Sequence, residues 1–177
     1  ALTQLIESYV SLKAQPIPKA ISVYGISLCK DALLNSYLNG NDIKARENLM
    51  LASLLSGISL ANSGLGAAHG IGAALGCFYG IPHGIACAIL LPHVMKLNLA
   101  EKLEDFAEIG RVLTGKNYES SDQAARAGLD FICDLAKKLN IPKNLKSYNI
   151  CQSDLAELVK ASRGSSMNGN PVSLDDD

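Results

Sequence analysis

The chain has no tryptophan, three phenylalanines and six tyrosines, and its 16 basic and 17 acidic residues leave a net charge of -1. Charges of both signs are interspersed, so there is no electrostatic footprint for a phosphate backbone, and the few aromatics offer no stacking platform for bases. No nucleic-acid partner is expected. The five cysteines, Cys29, Cys77, Cys87, Cys133 and Cys151, are odd in number, never form C-x-x-C, and stand mostly in apolar surroundings. That usage reads as reduced, buried thiol in a cytoplasmic protein. Residues 1–14 lack a basic start and a continuous apolar stretch and carry Gln4, Glu7 and Lys13 instead, so no signal peptide is expected. A strand-period run longer than four residues is also missing, which leaves helix as the organising element.

The largest absence is of charge. Residues 49–95 contain no Asp, Glu, Lys or Arg, and all three histidines, His69, His83 and His93, lie inside that stretch. Buried charge is costly, so such a run reads as the centre of a core or as a membrane span, and imidazoles placed in it need a partner. A bound metal is one. A spanning helix needs about 20 apolar residues. Here Ser53, Ser56 and Ser59 precede an Asn62-Ser63-Gly64 break, and Gly80-Ile81-Pro82-His83-Gly84 interrupts the second piece. The segment is therefore expected to supply buried helices of a soluble bundle, not a membrane anchor.

A chain of 177 residues is long enough for one domain with a full core. Leu2, Leu5, Ile6 and Tyr9 recur at helical spacing up to Pro16 and Pro18, predicting a short first helix. A second is predicted over 18–38, stopping at Asn39-Gly40, and Asp42 caps a third. From Leu49 that third helix is apolar on nearly every side, as expected of a central helix surrounded by neighbours. After Gly64 and Gly66 a small-residue helix carries His69, and the Pro82 turn starts another that reaches about Leu97. Amphipathic helices are predicted over 101–112, 121–139 and 153–163, with Ser121 and Ser153 as N-caps. The polar tail, residues 164–177, ends in three aspartates and reads as a solvated end or a docking strap.

The glycines near His69 fail the dinucleotide-binding fingerprint. His69 stands where Gly64-Leu65-Gly66 requires a third glycine, Leu75 where Gly70-Ile71-Gly72 does, and neither run follows a strand. Close helix packing is the better reading of them. His69 and His83 flank a helix-turn-helix, so one imidazole from each limb can reach a shared space that suits a divalent transition metal. Two core histidines bonded to carbonyl oxygens fit the same spacing. His93, leading to Lys96, reads as a surface or helix-packing residue, and the absence of H-E-x-x-H sets a zinc protease aside.

The run Gly64-Leu65-Gly66-Ala67-Ala68-His69-Gly70, with Leu75-Gly76, Pro82-His83-Gly84 and Leu91-Pro92-His93-Val94 ending at Asn98, resembles the signature of the iron-dependent (group III) alcohol dehydrogenases. Residues 1–9, Ala45-Arg46-Glu47-Asn48 and residues 52–57 resemble that family in the same order. The resemblance implies an all-α helical bundle, the C-terminal metal-binding domain of an iron-dependent alcohol dehydrogenase or dehydroquinate-synthase-like fold. Residues 1–177 would form that single domain, with a nucleotide-binding α/β domain outside this sequence. It also implies His69 and His83 as metal ligands, Fe(II) as the metal with Zn(II) as an alternative, NAD or NADP held by the other domain, and a small alcohol or aldehyde substrate. Apolar surface exposed where that partner domain is missing favours self-association, so a homo-oligomer is expected.

Three features depart from the family pattern. The family's ligand Asp would immediately precede Ala1, and Gln4 stands where a second ligand, a histidine, is expected. An amide oxygen is a weaker ligand than imidazole, and without the carboxylate no negative charge offsets the cation, so poor metal affinity is expected. Gln4 as a ligand and Gln4 as a hydrogen-bonder both remain open. Ala73 replaces a further active-site histidine found in many family members. On this reading the metal polarises the substrate oxygen, a nicotinamide exchanges the hydride, and the apolar Phe78, Tyr79 and Ile81 line either the substrate cleft or the core. Residues 1–177 alone are expected to be inactive. The competing reading is a metal-free helical interaction or oligomerisation domain.

Overall fold

The structure, a computed structural model, describes residues 1–175; Asp176 and Asp177, two of the three terminal aspartates, lie outside the described residues. Every regular element among the described residues is helical: α1 (Leu2–Val10), α2 (Pro16–Leu38), α3 (Ile43–Ser63), α4 (Ala67–Tyr79), α5 (His83–Asn98), α6 (Leu103–Thr114), α7 (Ser121–Lys138) and α8 (Leu155–Ser162), with three short 3-10 turns. This is the all-α bundle expected. Asp42 caps α3 as predicted, its side chain accepting from the Ala45 N–H. The cap of α7 is Ser120, one residue earlier than predicted, and α8 begins after a 3-10 turn at Gln152–Asp154 with no Ser153 cap.

The expected central helix is corrected. α3 packs on α1 and α2 along one side only, and Met50, Leu54 and Ile43 are 74%, 62% and 65% exposed. Its lack of charge from Leu49 onward therefore reflects an uncovered apolar face and not enclosure. The centre is the short α1, buried from Leu5 to Val10 and touching α2, α3, α4, α5 and α6. Leu5 and Ile6 join Ile26, Met95, Phe106 and Ile109 in the main core, each such side chain contributing about 1.5–3 kcal/mol on burial. The Leu2, Leu5, Ile6, Tyr9 spacing predicts one apolar face, and the enclosure of Glu7 and Ser8 on the other faces comes from elements distant in sequence.

Gly64, in the left-handed region at φ 68, ends α3, and α4 leaves it at 105°. No single helix among the described residues is long and apolar enough to cross a membrane, and the α3–α4 pair is a bent one. A second core, formed by Ala74, Leu75, Ile81, Ala86 and Leu158, joins α4, α5 and α8. Ile81 and Tyr79 thus belong to packing, Tyr79 donating its hydroxyl to Asp154 at 2.5 Å, while Phe78 is exposed.

Glycines set two close approaches. Gly110 on α6 and Gly128 on α7 face each other, and a Cβ at Gly110 would enter the Ala124 carbonyl oxygen. Because a rigid backbone cannot yield, Gly110→Ala is expected to destabilise by about 3 kcal/mol or to abolish folding, measured by thermal or guanidinium unfolding. A Cβ at Gly72 would lie 3.0 Å from the Cys87 sulfur, so that glycine allows α5 to lie against α4 beside the histidines.

The tail is a strap. Gly169, Asn170 and Pro171 are buried; the Leu12 N–H donates to the Gly169 carbonyl, and Arg163 grips the carbonyls of Leu174 and Asp175.

Candidate metal centre

α4 begins Gly66-Ala67-Ala68-His69, and its N-cap Gly66 has no side chain to accept from the helix's orphan N–H groups. Distant residues do so. Glu7 Oε1 accepts from the Ala68 N–H at 2.7 Å, Glu7 Oε2 accepts from the His69 N–H at 3.3 Å, and Asn170 Oδ1 accepts from the Ala67 N–H at 3.2 Å. The Asn170 amide is in turn locked to Asn98, each side chain donating to the other at 2.9 and 3.1 Å, while the Val172 N–H donates to Asn98 Oδ1. A carboxylate at a helix N-terminus is favoured by the macrodipole as well as by these bonds. The consequence is a fixed first turn, and His69 stands on it.

Glu7 reaches His69 twice. Beyond the backbone bond, its Oε2 lies 2.6 Å from His69 Nδ1. An ionised carboxylate only accepts, so Nδ1 donates to it, and in the neutral imidazole this directs the Nε2 lone pair away from Glu7, the arrangement found behind bound metals. The His69 ring faces that of His83 at 5.4 Å between centroids with the planes tilted 58°. His83 is the first residue of α5, is exposed, and stands one helical turn from the buried Cys87, whose Sγ is 3.5 Å from His83 Nε2. One donor atom each from His69, His83 and Cys87 lies within 4.8 Å of the others. Two imidazoles with a nearby thiol form a donor set that fits a divalent transition metal, and the carboxylate behind His69 supplies negative charge from within this chain.

The fold and this geometry coincide with a family model. Residues 1–177 match the model of the Fe-containing alcohol dehydrogenase family, C-terminal. The chain belongs to the Fe-containing alcohol dehydrogenase family. It is 34% identical over 162 residues to 1,3-propanediol dehydrogenase of Citrobacter freundii, covering 90% of this chain and 42% of that one. It is 34% identical over 163 residues to lactaldehyde reductase of Escherichia coli K12, covering 91% and 42%. A crystal structure of 1,3-propanediol oxidoreductase superposes with a TM-score of 0.94 at 31% identity, over 99% of this chain and 46% of that one. The chain therefore spans less than half the length of these iron-type alcohol dehydrogenase relatives.

Within this iron-type dehydrogenase domain the predicted site residues separate. The structure brings His69 and His83 together, and neither is merely bonded to a carbonyl. His93 is exposed beside Pro92, Cys133 and Pro142, away from the pair. The side-chain oxygen of Gln4 accepts the Ser56 hydroxyl at 2.9 Å across to α3, the hydrogen-bonding role left open for it. Ala73 is exposed. Glu7 and Cys87 are the residues missed by sequence reasoning. A helix opening on Gly-Ala-Ala inside an uncharged segment must find acceptors elsewhere, and Cys87 stands four residues after His83; these two signals were present.

The thiols differ in reactivity. Burial pushes Cys87 up to about 12, helped by the Glu7 charge, and burial pushes Cys29 up to about 11, whereas Cys77 and Cys151 are exposed. The raised values keep Cys29 and Cys87 protonated at pH 8, and only the thiolate attacks. With a disulfide thiol reagent at pH 8, Cys77 and Cys151 are expected to react first, and Cys29 and Cys87 only after denaturant is added; prompt labelling of all five would contradict this burial.

Proposed function

We propose that this chain is the metal- and substrate-binding half of an NAD(P)-dependent alcohol or aldehyde oxidoreductase, with His69 and His83 as metal ligands. The facing imidazoles, one of them held by Glu7 with Nε2 free, are the observation that carries this reading. Membership of the iron-type family and its alcohol- and aldehyde-acting relatives support it. A divalent metal bound there, Fe(II) or Zn(II), supplies Lewis-acid polarisation of the substrate oxygen while a nicotinamide exchanges the hydride.

The chain's own part is positional. Glu7 fixes the tautomer and ring angle of His69, and the Asn98–Asn170 lock holds the helix start on which His69 stands. His83 at the exposed start of α5 gives the site its open side, where substrate and cofactor enter. A nucleotide-binding domain preceding residue 1 completes the cleft, and the uncovered apolar face of α3 supports assembly into a homo-oligomer.

With an alcohol, NAD+ or NADP+ and added metal, residues 1–177 alone are expected to give no turnover. A chimera joining them to the nucleotide-binding half of the Citrobacter freundii enzyme is expected to reduce the cofactor in a metal-dependent way. Turnover by the isolated chain, or a folded and metal-loaded chimera without activity, would contradict the division of labour.

A further inference from the structure

Cys87 stands in the same cluster as the two histidines but is not among the ligands of the proposed centre. Cys87 and His83 share one face of α5 at a spacing of four, and Sγ lies 3.5 Å from His83 Nε2. Zinc–sulfur and zinc–nitrogen bonds of about 2.3 and 2.0–2.1 Å at a tetrahedral angle put sulfur and nitrogen about 3.6 Å apart, so this pair already has the spacing of one tetrahedral edge. The third donor atom lies within 4.8 Å of both, a gap that side-chain rotation closes. In its present position the thiol gives up little, since beyond the His83 ring its partner among the described residues is the Ala68 carbonyl, a weak acceptor contact at 3.8 Å. Gly72 makes the room, because any side chain there would crowd the sulfur. Gln4 is engaged with Ser56 instead.

We propose that Cys87 is a third protein ligand of this centre, giving a His69, His83, Cys87 donor set that takes Zn(II) or Co(II) in preference to Fe(II). This rests on the reading of His69 and His83 as ligands. A thiolate is a softer donor than the amide oxygen that the sequence offers at Gln4, and its charge offsets the cation. On binding, a sulfur–metal bond forms, the thiol proton leaves to bulk water, and no redox change occurs. Within residues 1–177 this set supplies three donors, and the exposed side of His83 is where a further ligand or substrate would enter.

The test is a Co(II) titration of the chain carrying Cys77→Ser, Cys133→Ser and Cys151→Ser, so that Cys87 is the only thiol near the histidines. A near-ultraviolet thiolate-to-cobalt charge-transfer band saturating at about one equivalent is expected. Adding Cys87→Ala is expected to remove the band and weaken Co(II) and Zn(II), measured by chelator competition, by about a hundredfold. Binding that depends on His69 and His83 but shows no such band, with affinity unchanged by Cys87→Ala, would overturn the role of Cys87 and leave the histidine centre standing. Absence of Co(II) and Zn(II) binding altogether would overturn both. The band is read in the protein that retains Cys87, so the outcome does not depend on the folding of the Cys87→Ala variant.

Discussion

Glu7→Ala is expected to destabilise the chain by about 3–5 kcal/mol, the range for removing one partner of a buried charged network. The carboxylate is 3% exposed and accepts from the Ala68 N–H, the His69 N–H and His69 Nδ1. Alanine leaves these donors without an acceptor in a site closed to water, each orphan costing about 1–3 kcal/mol. At about 2–4 °C per kcal/mol for a chain of this size, the melting temperature should fall by roughly 6–20 °C. Glu7→Gln keeps one acceptor oxygen but loses the charge at the helix start, so a smaller loss is expected. It should also weaken metal binding by about 10–100-fold, because the group that fixes His69 is altered while His69 itself remains. Thermal unfolding with chelator and with metal separates the two effects, and an Ala variant as stable as the parent would contradict the network.

The second large effect is on metal affinity. If structural zinc affinities of about 10–16 kcal/mol are shared among four donors, each is worth about 2.5–4 kcal/mol. Losing both imidazoles in His69→Ala, His83→Ala should therefore weaken binding by about ten-thousandfold or more. The single variants should differ in stability. His83 is exposed and packs little, so His83→Ala is expected to bind metal weakly yet unfold as the parent does. His69 is buried against Glu7, and His69→Ala leaves that carboxylate short of a donor, so it should lose both affinity and stability. Equal stability losses from the two substitutions would contradict the asymmetric placement seen here.

Much of this was legible from the chain alone. The Asp42 cap, the Asn39-Gly40 stop, the Gly64 break and the Pro82 turn are local signals read by local rules, and they locate α2 to α5 within a few residues. The two histidines could be paired because a single helix-turn-helix separates them. What failed was inference from hydrophobicity to enclosure. α3 is uncharged from Leu49 onward but half uncovered, while the buried centre is α1, whose Glu7 and Ser8 gave no hydrophobic signal. Burial is a property of neighbours, and those neighbours come from distant sequence. Glu7 meets α4 from 61 and 62 residues away, and Asn170 from 103, so no window along the chain contains both sides of the site. Their contribution was foreshadowed only by an unmet need, a helix start without a cap.

The most direct test of the histidine centre is metal stoichiometry of the folded chain by native mass spectrometry after incubation with Fe(II), Zn(II), Ni(II) or Mn(II), beside the His69→Ala, His83→Ala variant. One equivalent in the parent and none in the variant, with both folded by circular dichroism, is the predicted result. Equal metal content in the two, or none in the parent with every metal offered, would contradict it.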